Sequence, residues 1–546
     1  MDKLKPHDMS KPSSEQLVSL EQLMPLPAPY DRPGMDPGLE PVKDAWRETY
    51  CASLDGVVGN DRLKRPGSKA EEEEFIKKFL NGLDKLFSKE TNGGFLTPFL
   101  LAFEYCARCG VCSEACHVFK ASGEKEVYRP LFRSDTLRRL YKSYKKRGSL
   151  AARFTGGDMD INIEAILRLG ELAYRCNLCR RCAQTCPLGL DNSVIARAIR
   201  ALFSMEMGIA PTLLHERGTV LQLKTGSSTG MNRNAFLDNI EFIEEDIHER
   251  LGKKYKFSID KKGADILLIH NAGEYLSWPD NPAAFAILFA EAGLDWTMSS
   301  ELAGYDGVNY GIWYDDAQAK KIALAQRRAA RELGVRRIVI GECGHAHRAA
   351  AVSSDRLAVG GDNIPRESCF PILRDIVKSG AIKFDPLRNN FPVTLHDPCN
   401  IVRSMGVVMP QRQVLKELCP QFREMAPHGV KNYCCGGGGG FAVMRSMNFS
   451  EWEMKVAARM KFKQILEVFQ DKIKDPAAPK YICAPCSNCK GAFRDMLDYY
   501  QAASRFNVRY GGIAELMVNS MAMFDRPYFE WLEKIITPKA RTGKDE

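Results

Sequence analysis

Two adjacent cysteines followed by five glycines most constrain the fold of this 546-residue chain, in the stretch Asn432-Tyr433-Cys434-Cys435-Gly436-Gly437-Gly438-Gly439-Gly440. A disulfide between neighbouring cysteines strains the backbone, whereas two neighbouring thiolates can bind one metal cluster. Glycine lacks a Cβ, so the loop can bend sharply around a bulky inorganic group. Cys399 lies upstream, and Cys483, Cys486 and Cys489 lie downstream. The spacing C…CCG…CxxC predicts an iron–sulfur site with five thiolates; the alternative is a group of buried cysteines beside a flexible loop.

Two further cysteine runs share the spacing CxxCxxCxxxC, which is typical of chains that hold a pair of [4Fe–4S] clusters. The first run is Cys106, Cys109, Cys112 and Cys116, and the second is Cys176, Cys179, Cys182 and Cys186. In such runs three thiolates bind one cluster and the fourth binds the other. We therefore expect one cubane cluster on Cys106, Cys109, Cys112 and Cys186, and another on Cys176, Cys179, Cys182 and Cys116. Zinc is the alternative, which two complete four-ligand sets at this spacing disfavour.

Charge, hydropathy and cysteine usage limit the class of protein. The net charge of +9, from 77 basic and 68 acidic residues, suits an acidic partner or an anionic membrane face. No motif of a nucleic-acid-binding module is present, so we expect no nucleic-acid partner. The 18 cysteines lie mostly in CxxC-type groups, which indicates metal binding rather than a secreted disulfide framework.

The sequence also bears on location. The residues behind Met1 are not apolar, which predicts no signal peptide. No run reaches about 18 apolar residues, the length of a membrane-spanning helix. We therefore expect a cytoplasmic protein that would reach a membrane through a partner subunit.

The patterns divide the chain into five parts. Residues 1–69 form a proline-rich extended arm, either a disordered tail or a strap across a partner subunit. Residues 70–215 are helical in character and contain both CxxCxxCxxxC runs, residues 216–262 form a connector, and residues 526–546 form a tail. From 263 to 525 strand-like segments, including 264–270, 337–341, 392–396 and 480–483, alternate with helical ones. This alternation predicts an α/β domain with mostly parallel strands.

The α/β part is an internal repeat. Residues 269–272 align with 395–398, 308–311 with 433–436, and 339–346 with 482–489. Cys343 then matches Cys486, and Cys483 falls on a strand, so we expect Cys486 and Cys489 to be ligands and Cys483 to be a core thiol. The first half has lost its cysteine pair, so one special cluster is expected rather than two.

The remaining cysteines and two histidines are less constrained by pattern. Cys343, His345 and His347 could form a small metal site, line a substrate cleft or be structural. Cys51, Cys369 and Cys419 stand alone and are most simply core cysteines.

Over residues 95–525 these motifs resemble the D-type catalytic subunits of heterodisulfide reductases, a family of CCG-domain iron–sulfur proteins. The two cysteine runs resemble an α-helical ferredoxin, although His117 follows Cys116 where proline is usual. The resemblance implies the fold class α + α/β, with an α-helical ferredoxin domain followed by a two-lobed α/β CCG-repeat domain. It further implies one noncubane [4Fe–4S] cluster beside the two cubane clusters. Its ligands, which would also be the catalytic residues, are Cys399, Cys434, Cys435, Cys486 and Cys489.

The long proline-rich N-terminus is similar to that of the DsrK-type branch of this family, and this implies a function. Electrons would pass from a membrane cytochrome b-type subunit (DsrM-like) through both cubane clusters to the noncubane cluster. That cluster would reduce, or form, a disulfide or trisulfide on a small DsrC-like protein in dissimilatory sulfur metabolism. One alternative is the iron–sulfur subunit of a lactate, glycolate or glycerol-3-phosphate oxidoreductase that works with a flavin subunit. Another is a non-catalytic electron-transfer module whose last cluster is purely structural.

Overall fold

Two small parallel β-sheets with the same strand order form the C-terminal part of the computed structural model. It describes residues 5–10, 18–40, 54–145, 159–301, 303–354, 364–445 and 450–532. The first sheet has the order β2-β1-β3-β4 and the second β6-β5-β7-β8. The strands are β1 Ile266–Ile269, β2 Trp296–Thr297, β3 Arg337–Ile340, β4 Arg366–Ser368, β5 Val393–Leu395, β6 Phe422–Arg423, β7 Lys480–Cys483 and β8 Val508–Gly511. The matching orders confirm the predicted repeat and the α/β class. The sequence analysis did not identify β2, β4, β6 and β8, of which β2 and β6 have only two residues each.

The central strands place the cysteine loops at one edge of each sheet. Ile266 pairs with Arg337 in the first sheet, and Val393 pairs with Tyr481 in the second, all strands running parallel. Side chains of β1, β5 and β7 are buried on both faces, as is usual for parallel strands covered by helices. The loops that follow β1, β3, β5 and β7 therefore meet at the carboxyl edges, where α/β proteins generally place their sites.

Helices surround both sheets. In the first lobe they span Ala272–Ser277, Asp280–Glu291, Tyr310–Trp313, Asp316–Leu333, Gly344–Ala346, His347–Ser353 and Cys369–Ser379. In the second lobe they span Pro386–Asn389, Cys399–Val402, Met409–Leu418, Gly429–Lys431, Phe441–Met444, Ser450–Trp452, Glu453–Ala457, Arg459–Val468, Ser487–Tyr499, Ala502–Phe506 and Ile513–Asn519. Apolar side chains from β1, β3, β5 and β7 contribute to one shared core, which joins the two lobes.

The N-terminal half is helical, as the sequence predicts. Its helices span Pro6–Ser10, Leu20–Gln22, Lys69–Leu86, Lys89–Asn92, Leu96–Glu104, Val111–Ala115, His117–Ala121, Glu126–Tyr128, Pro130–Lys145, Ile163–Leu172, Arg181–Thr185 and Asn192–Met205. Capping side chains set several starts: Ser68 accepts a hydrogen bond from Glu71 N, and Asn162 accepts one from Ala165 N. The segment predicted as a connector is itself largely helical, with helices Thr212–Leu214, His215–Val220, Leu221–Thr225 and Arg233–Leu251.

The proline-rich arm packs on its own chain over residues 18–40. Tyr30 is buried against Phe462 and Tyr500, and its hydroxyl donates a hydrogen bond to Tyr500 O. Asp36 forms ion pairs with Lys455 and Arg459 of the second lobe. The aromatic ring and the carboxylate of this stretch therefore both have partners within the chain, and its role as a strap across a partner subunit stays a prediction. Within the described ranges, none of the helices combines the length and the apolar character that a bilayer crossing requires.

Candidate metal centre

The five cysteines of the C-terminal motif converge from three loops of the second lobe. Cys399 begins the short helix after β5, and Cys486 caps the N-terminus of the helix Ser487–Tyr499 after β7. Cys489 lies in the first turn of that helix. Cys434 and Cys435 belong to the glycine-rich segment 432–440, called here the CCG loop. Four of the five thiols are buried, with exposed fractions of 4% or less, and Cys399 is partly exposed.

The thiols of this set form a continuous series of contacts. Hydrogen bonds with the sulfurs of Cys179, Cys399 and Cys435 raise the pKa of Cys434. Cys435 Sγ lies 3.3 Å from Cys489 Sγ. Hydrogen bonds with the sulfurs of Cys435 and Cys486 in turn raise the pKa of Cys489. The structure thus brings Cys399, Cys434, Cys435, Cys486 and Cys489 together, while their assignment as ligands stays a prediction.

His396 is a neighbour of this set to which the sequence analysis gave no role. One ring nitrogen lies within 4.8 Å of the sulfurs of Cys435 and Cys489, and the side chain is 1% exposed. Burial lowers the pKa of His396, so that it is neutral at pH 7. The internal repeat could have pointed to His396, because His396 lies just before the cysteine loop and His270 occupies the same position in the first half.

Charged side chains behind the cysteine loops hold those loops in position. Arg412 donates two hydrogen bonds of 2.7 Å to the Asp397 carboxylate, which also accepts one from Gly429 N. Burial alone would raise the pKa of Asp397, but the Arg412 guanidinium outweighs it and the pKa is lowered. Lys461, fully buried, donates to Asn432 and Gln464, and burial lowers its pKa to about 7. An amine that can carry a positive charge therefore lies just behind the CCG loop, where it would offset negative thiolates.

The first ferredoxin-type site lies at the surface. Cys106, Cys109, Cys112 and Cys186, called here the outer set, line one pocket with Gly110, Val111, Pro187 and Leu188. Burial raises the pKa of Cys112, and the nearby Cys106 thiol raises it further. Cys109 is exposed. The fourth cysteine of the second run thus joins three of the first, as the crossed assignment requires.

The second site, called here the inner set, consists of Cys176, Cys179, Cys182 and Cys116. Burial raises the pKa of Cys182, with further contributions from Cys179, Cys176 and Cys116. His117 follows Cys116 and is 2% exposed; its Nδ1 lies 3.9 Å from Cys179 Sγ, and its Nε2 lies 3.0 Å from Asn177 Oδ1. The histidine that stands where proline is usual therefore lies beside this site.

The inner set touches the C-terminal set. The sulfurs of Cys179 and Cys434 and a ring nitrogen of His117 lie within 4.8 Å of one another. Arg403 donates to Cys179 O at 2.8 Å and to Val430 O at 2.7 Å, and also to Asn432 O. Arg200 donates to Gly439 O at 2.6 Å and to Cys176 O at 2.7 Å. Two buried guanidinium groups thus tie the two cysteine loops together.

Cys343, His345 and His347 do not form a separate metal site in the part of the chain that the structure describes. His347 Nδ1 lies 2.8 Å from Cys343 O and its Nε2 lies 2.9 Å from Ser368 Oγ. His345 Nε2 lies 3.0 Å from Asn309 O. Cys483, Cys369 and Cys419 are buried core thiols, as expected, and Cys51 lies outside the described residues.

The donor chemistry fits iron–sulfur clusters at all three sites. Thiols are the preferred ligands of such clusters, and two of the sets also receive backbone N–H groups: Gly436 N donates to Cys434 Sγ at 3.5 Å and Leu178 N to Cys176 Sγ at 3.4 Å. Gly439 has φ +69°, and a Cβ there would lie 3.0 Å from Asn177 O, so a larger residue would press against the Asn177 backbone.

Comparisons with known proteins agree with this geometry. Residues 102–190 match the family "4Fe-4S dicluster domain", and residues 393–494 match the CCG family "Cysteine-rich domain". The fold and the cysteine sites therefore define a CCG-domain iron–sulfur protein that also carries a dicluster ferredoxin domain.

More particularly, the chain is similar to iron–sulfur subunits of heterodisulfide reductase-like oxidoreductases, including D-type subunits. It is 26% identical over 542 residues to the Hdr-like menaquinol oxidoreductase iron-sulfur subunit 2 of Archaeoglobus fulgidus, covering 89% of this chain and 92% of that protein. It is 26% identical over 354 residues to the D subunit of the dihydromethanophenazine:CoB–CoM heterodisulfide reductase of Methanosarcina acetivorans, covering 62% and 79%. The Hdr-like menaquinol oxidoreductase iron-sulfur subunit of Archaeoglobus profundus is 25% identical over 469 residues, covering 78% and 80%.

Proposed function

We propose that this chain transfers electrons between a quinone-linked membrane partner and a sulfur–sulfur bond carried by a small DsrC-like protein. The observation that carries the proposal is the unbroken series of thiol contacts from the inner set through Cys434 to Cys489. Reduction of the bond consumes two electrons and two protons and yields two thiols; the reverse reaction forms the bond. When bound, the two cubane clusters would supply one-electron carriers and the C-terminal noncubane cluster an iron face for sulfur.

The arrangement of the three sites supports a route for electrons within the chain, from the outer set through the inner set to the C-terminal set or the reverse. The outer set lies at the surface, with Cys109 exposed, and the C-terminal set adjoins the inner set through Cys179 and Cys434. A partner can therefore reach the outer set while the sulfur substrate reaches the C-terminal set. This separation of the two access points is what a two-substrate electron-transfer subunit needs.

The approach of the sulfur substrate is proposed to lie beside Cys399, which is partly exposed. Arg348 donates to Leu178 O at 3.1 Å and lies over the Trp313 ring at 4.9 Å, and Arg180 donates to Arg403 O at 3.3 Å. These guanidinium groups give the region a positive potential, which the ion pair of Arg180 with Asp191 offsets only in part. A positive approach favours a substrate whose sulfur is anionic once reduced.

The membrane partner is proposed from the relatives. Two of them are named as subunits of menaquinol oxidoreductases. We infer that this chain docks at the inner face of the membrane on a cytochrome b-type, DsrM-like subunit, with other subunits of the complex around it. We also propose five domain limits: the arm 1–69, the ferredoxin domain 70–215, the connector 216–262, the CCG-repeat domain 263–525 and the tail 526–546.

Replacement of Cys434 or Cys435 by serine tests the proposal. Each variant should lose reduction of the disulfide substrate while the two cubane signals in electron paramagnetic resonance (EPR) remain. Cys483→Ser is the matched control, because Cys483 is fully buried in the same lobe and should keep the activity. Full turnover by either test variant would refute the proposal, and lactate or glycerol-3-phosphate oxidation with a flavin subunit would favour the alternative enzyme class.

A further inference from the structure

The first lobe keeps one cysteine at the position of a second-lobe ligand, and its loop has the same geometry. Cys343 caps the helix Gly344–Ala346 after β3, and Cys486 caps the helix Ser487–Tyr499 after β7. Cys343 N donates to Gly341 O at 2.7 Å, and Cys486 N donates to Ala484 O at the same distance. The Cys343 thiol also accepts a hydrogen bond from the backbone N–H three residues on, that of Ala346, at 3.4 Å. The ligand-holding turn therefore survives intact in the lobe that lost its cysteine pair.

The two equivalent turns face each other across the site. The Cys343 thiol is hydrogen-bonded to that of Cys486. His345 Nδ1 and Asn488 Nδ2, which are also equivalent positions in the repeat, lie 3.3 Å apart. A Cβ at Gly344 would lie 3.2 Å from Cys486 Sγ. The approximate two-fold relation between the lobes therefore passes through the Cys343–Cys486 contact.

The surroundings of Cys343 are those of a ligand sulfur. Its sulfur accepts from the Ala346 N–H, and Asn271 Nδ2 lies 3.7 Å away. Hydrogen bonds from N–H groups are what thiolates at iron–sulfur sites receive. The other first-lobe positions that match ligands hold Gly273, Asn309, Tyr310 and Ala346, so they add no further thiol.

We propose that Cys343 is a sixth thiol of the C-terminal site and binds iron beside Cys486. The family resemblance supplies five ligands from the second lobe, whereas this thiol comes from the first. The metal centre would then join the lobes directly. The inference rests on the proposed cluster but needs no sulfur substrate.

The experiment compares Cys343→Ser and Cys343→Ala with Cys369→Ala in the full-length protein, purified without oxygen. Cys369 is also fully buried in the first lobe, and among the described residues no hydrogen bond joins it to another thiol. The readouts are iron per chain, the EPR g-values of the C-terminal cluster, and the melting temperature of each variant. We expect Cys343→Ser to shift those g-values, because an oxygen ligand replaces sulfur. We expect Cys343→Ala to lower the retained C-terminal cluster at least twofold, with both cubane signals unchanged.

The outcomes separate this inference from the cluster assignment. Wild-type g-values and iron content in both Cys343 variants would overturn the sixth ligand and leave the five-ligand cluster standing. A wild-type protein without a third cluster signal would overturn both. If Cys343→Ala melts much earlier, the isosteric Cys343→Ser decides the matter: unchanged g-values in that folded variant count against the inference.

Discussion

The sulfur of Cys179 lies within 4.8 Å of the sulfur of Cys434, although the two belong to separate motifs far apart in the sequence. Cys179 belongs to the inner set of the ferredoxin region, and Cys434 belongs to the CCG loop. The proximity makes the two sites neighbours with no intervening side chain between the sulfurs. Electrons bound at one site would therefore have a short path to the other.

Magnetic coupling between these two sites is the first expected result. When both are paramagnetic, neighbouring unpaired spins interact, so the EPR lines of the C-terminal cluster should broaden or split in partly reduced protein. Cys182→Ala, which disables the inner set, should remove this splitting. Cys109→Ala, which disables the outer set, should preserve it. Splitting that survives Cys182→Ala would show that the inner set is not the neighbour.

Arg403 should be a major stabiliser of the contact between the two cysteine loops. It donates hydrogen bonds to three carbonyl oxygens, those of Cys179, Val430 and Asn432, and is 6% exposed. Lysine keeps the charge but cannot reach three separate acceptors. We expect Arg403→Lys to reduce the free energy of unfolding by about 3 kcal/mol, from two lost charge-assisted hydrogen bonds. Denaturant titration under anaerobic conditions measures it.

Arg494→Lys is the control for that measurement. The Arg494 side chain is 49% exposed and forms an ion pair with the neighbouring Asp495. An exposed substitution of this kind changes stability by less than about 0.5 kcal/mol. Equal stability changes in both variants would contradict the tethering role of Arg403.

A matched pair of glycine substitutions isolates the close approach of the CCG loop to the inner set. Gly439 (φ +69°) and Gly406 (φ +74°) both have left-handed backbone, but a Cβ at Gly406 meets nothing within 4 Å. Alanine should cost about 1 kcal/mol at either site because of the backbone. At Gly439 the added Cβ, 3.0 Å from Asn177 O, should cost about 1–3 kcal/mol more. Thermal unfolding of the two variants tests this difference, and equal melting temperatures would contradict it.

The sequence was sufficient for the repeat and for grouping the thiols, because cysteine spacing and strand alternation are local patterns. Lys480–Cys483 was placed without error, and the other central strands to within about two residues. The packing of the arm through Tyr30 could not be predicted, since a buried tyrosine among prolines has no periodic signal. The contact of Cys179 with Cys434 was also out of reach, because spacing within each motif carries no information about how separate motifs pack.

His347 should make stability fall as the solution is acidified. Burial lowers its pKa from 6.5 to about 4, so the folded chain keeps this ring neutral while the unfolded chain protonates it near pH 6.5. The unfolded state then binds more protons between pH 6.5 and 4, and stability is lost as the pH falls through that window. Between about pH 7 and 5 this histidine should account for about 2 kcal/mol. Over the same pH interval, the free energy of unfolding of His347→Gln should fall by about 2 kcal/mol less than that of the wild type in denaturant titrations. An unchanged pH slope would show that His347 is already charged in the folded protein.

The exposed apolar side chains around the outer set should form the docking site of the electron-transfer partner. Tyr105 is 67% exposed, Leu188 56%, Leu101 47% and Val111 41%, close to the exposed Cys109. Such a patch beside a surface site suits a protein interface with a few dominant anchors. The double variant Tyr105→Lys and Leu188→Lys should slow reduction of the clusters by the reduced membrane partner about tenfold, a loss of about 1.4 kcal/mol. Reduction by dithionite, which needs no docking, should proceed at the wild-type rate.

Leu387→Lys is the control, since Leu387 is 71% exposed in the second lobe and its replacement should not affect either rate. Stopped-flow absorbance follows both reactions, and an unimpaired rate with the membrane partner would place the docking site elsewhere.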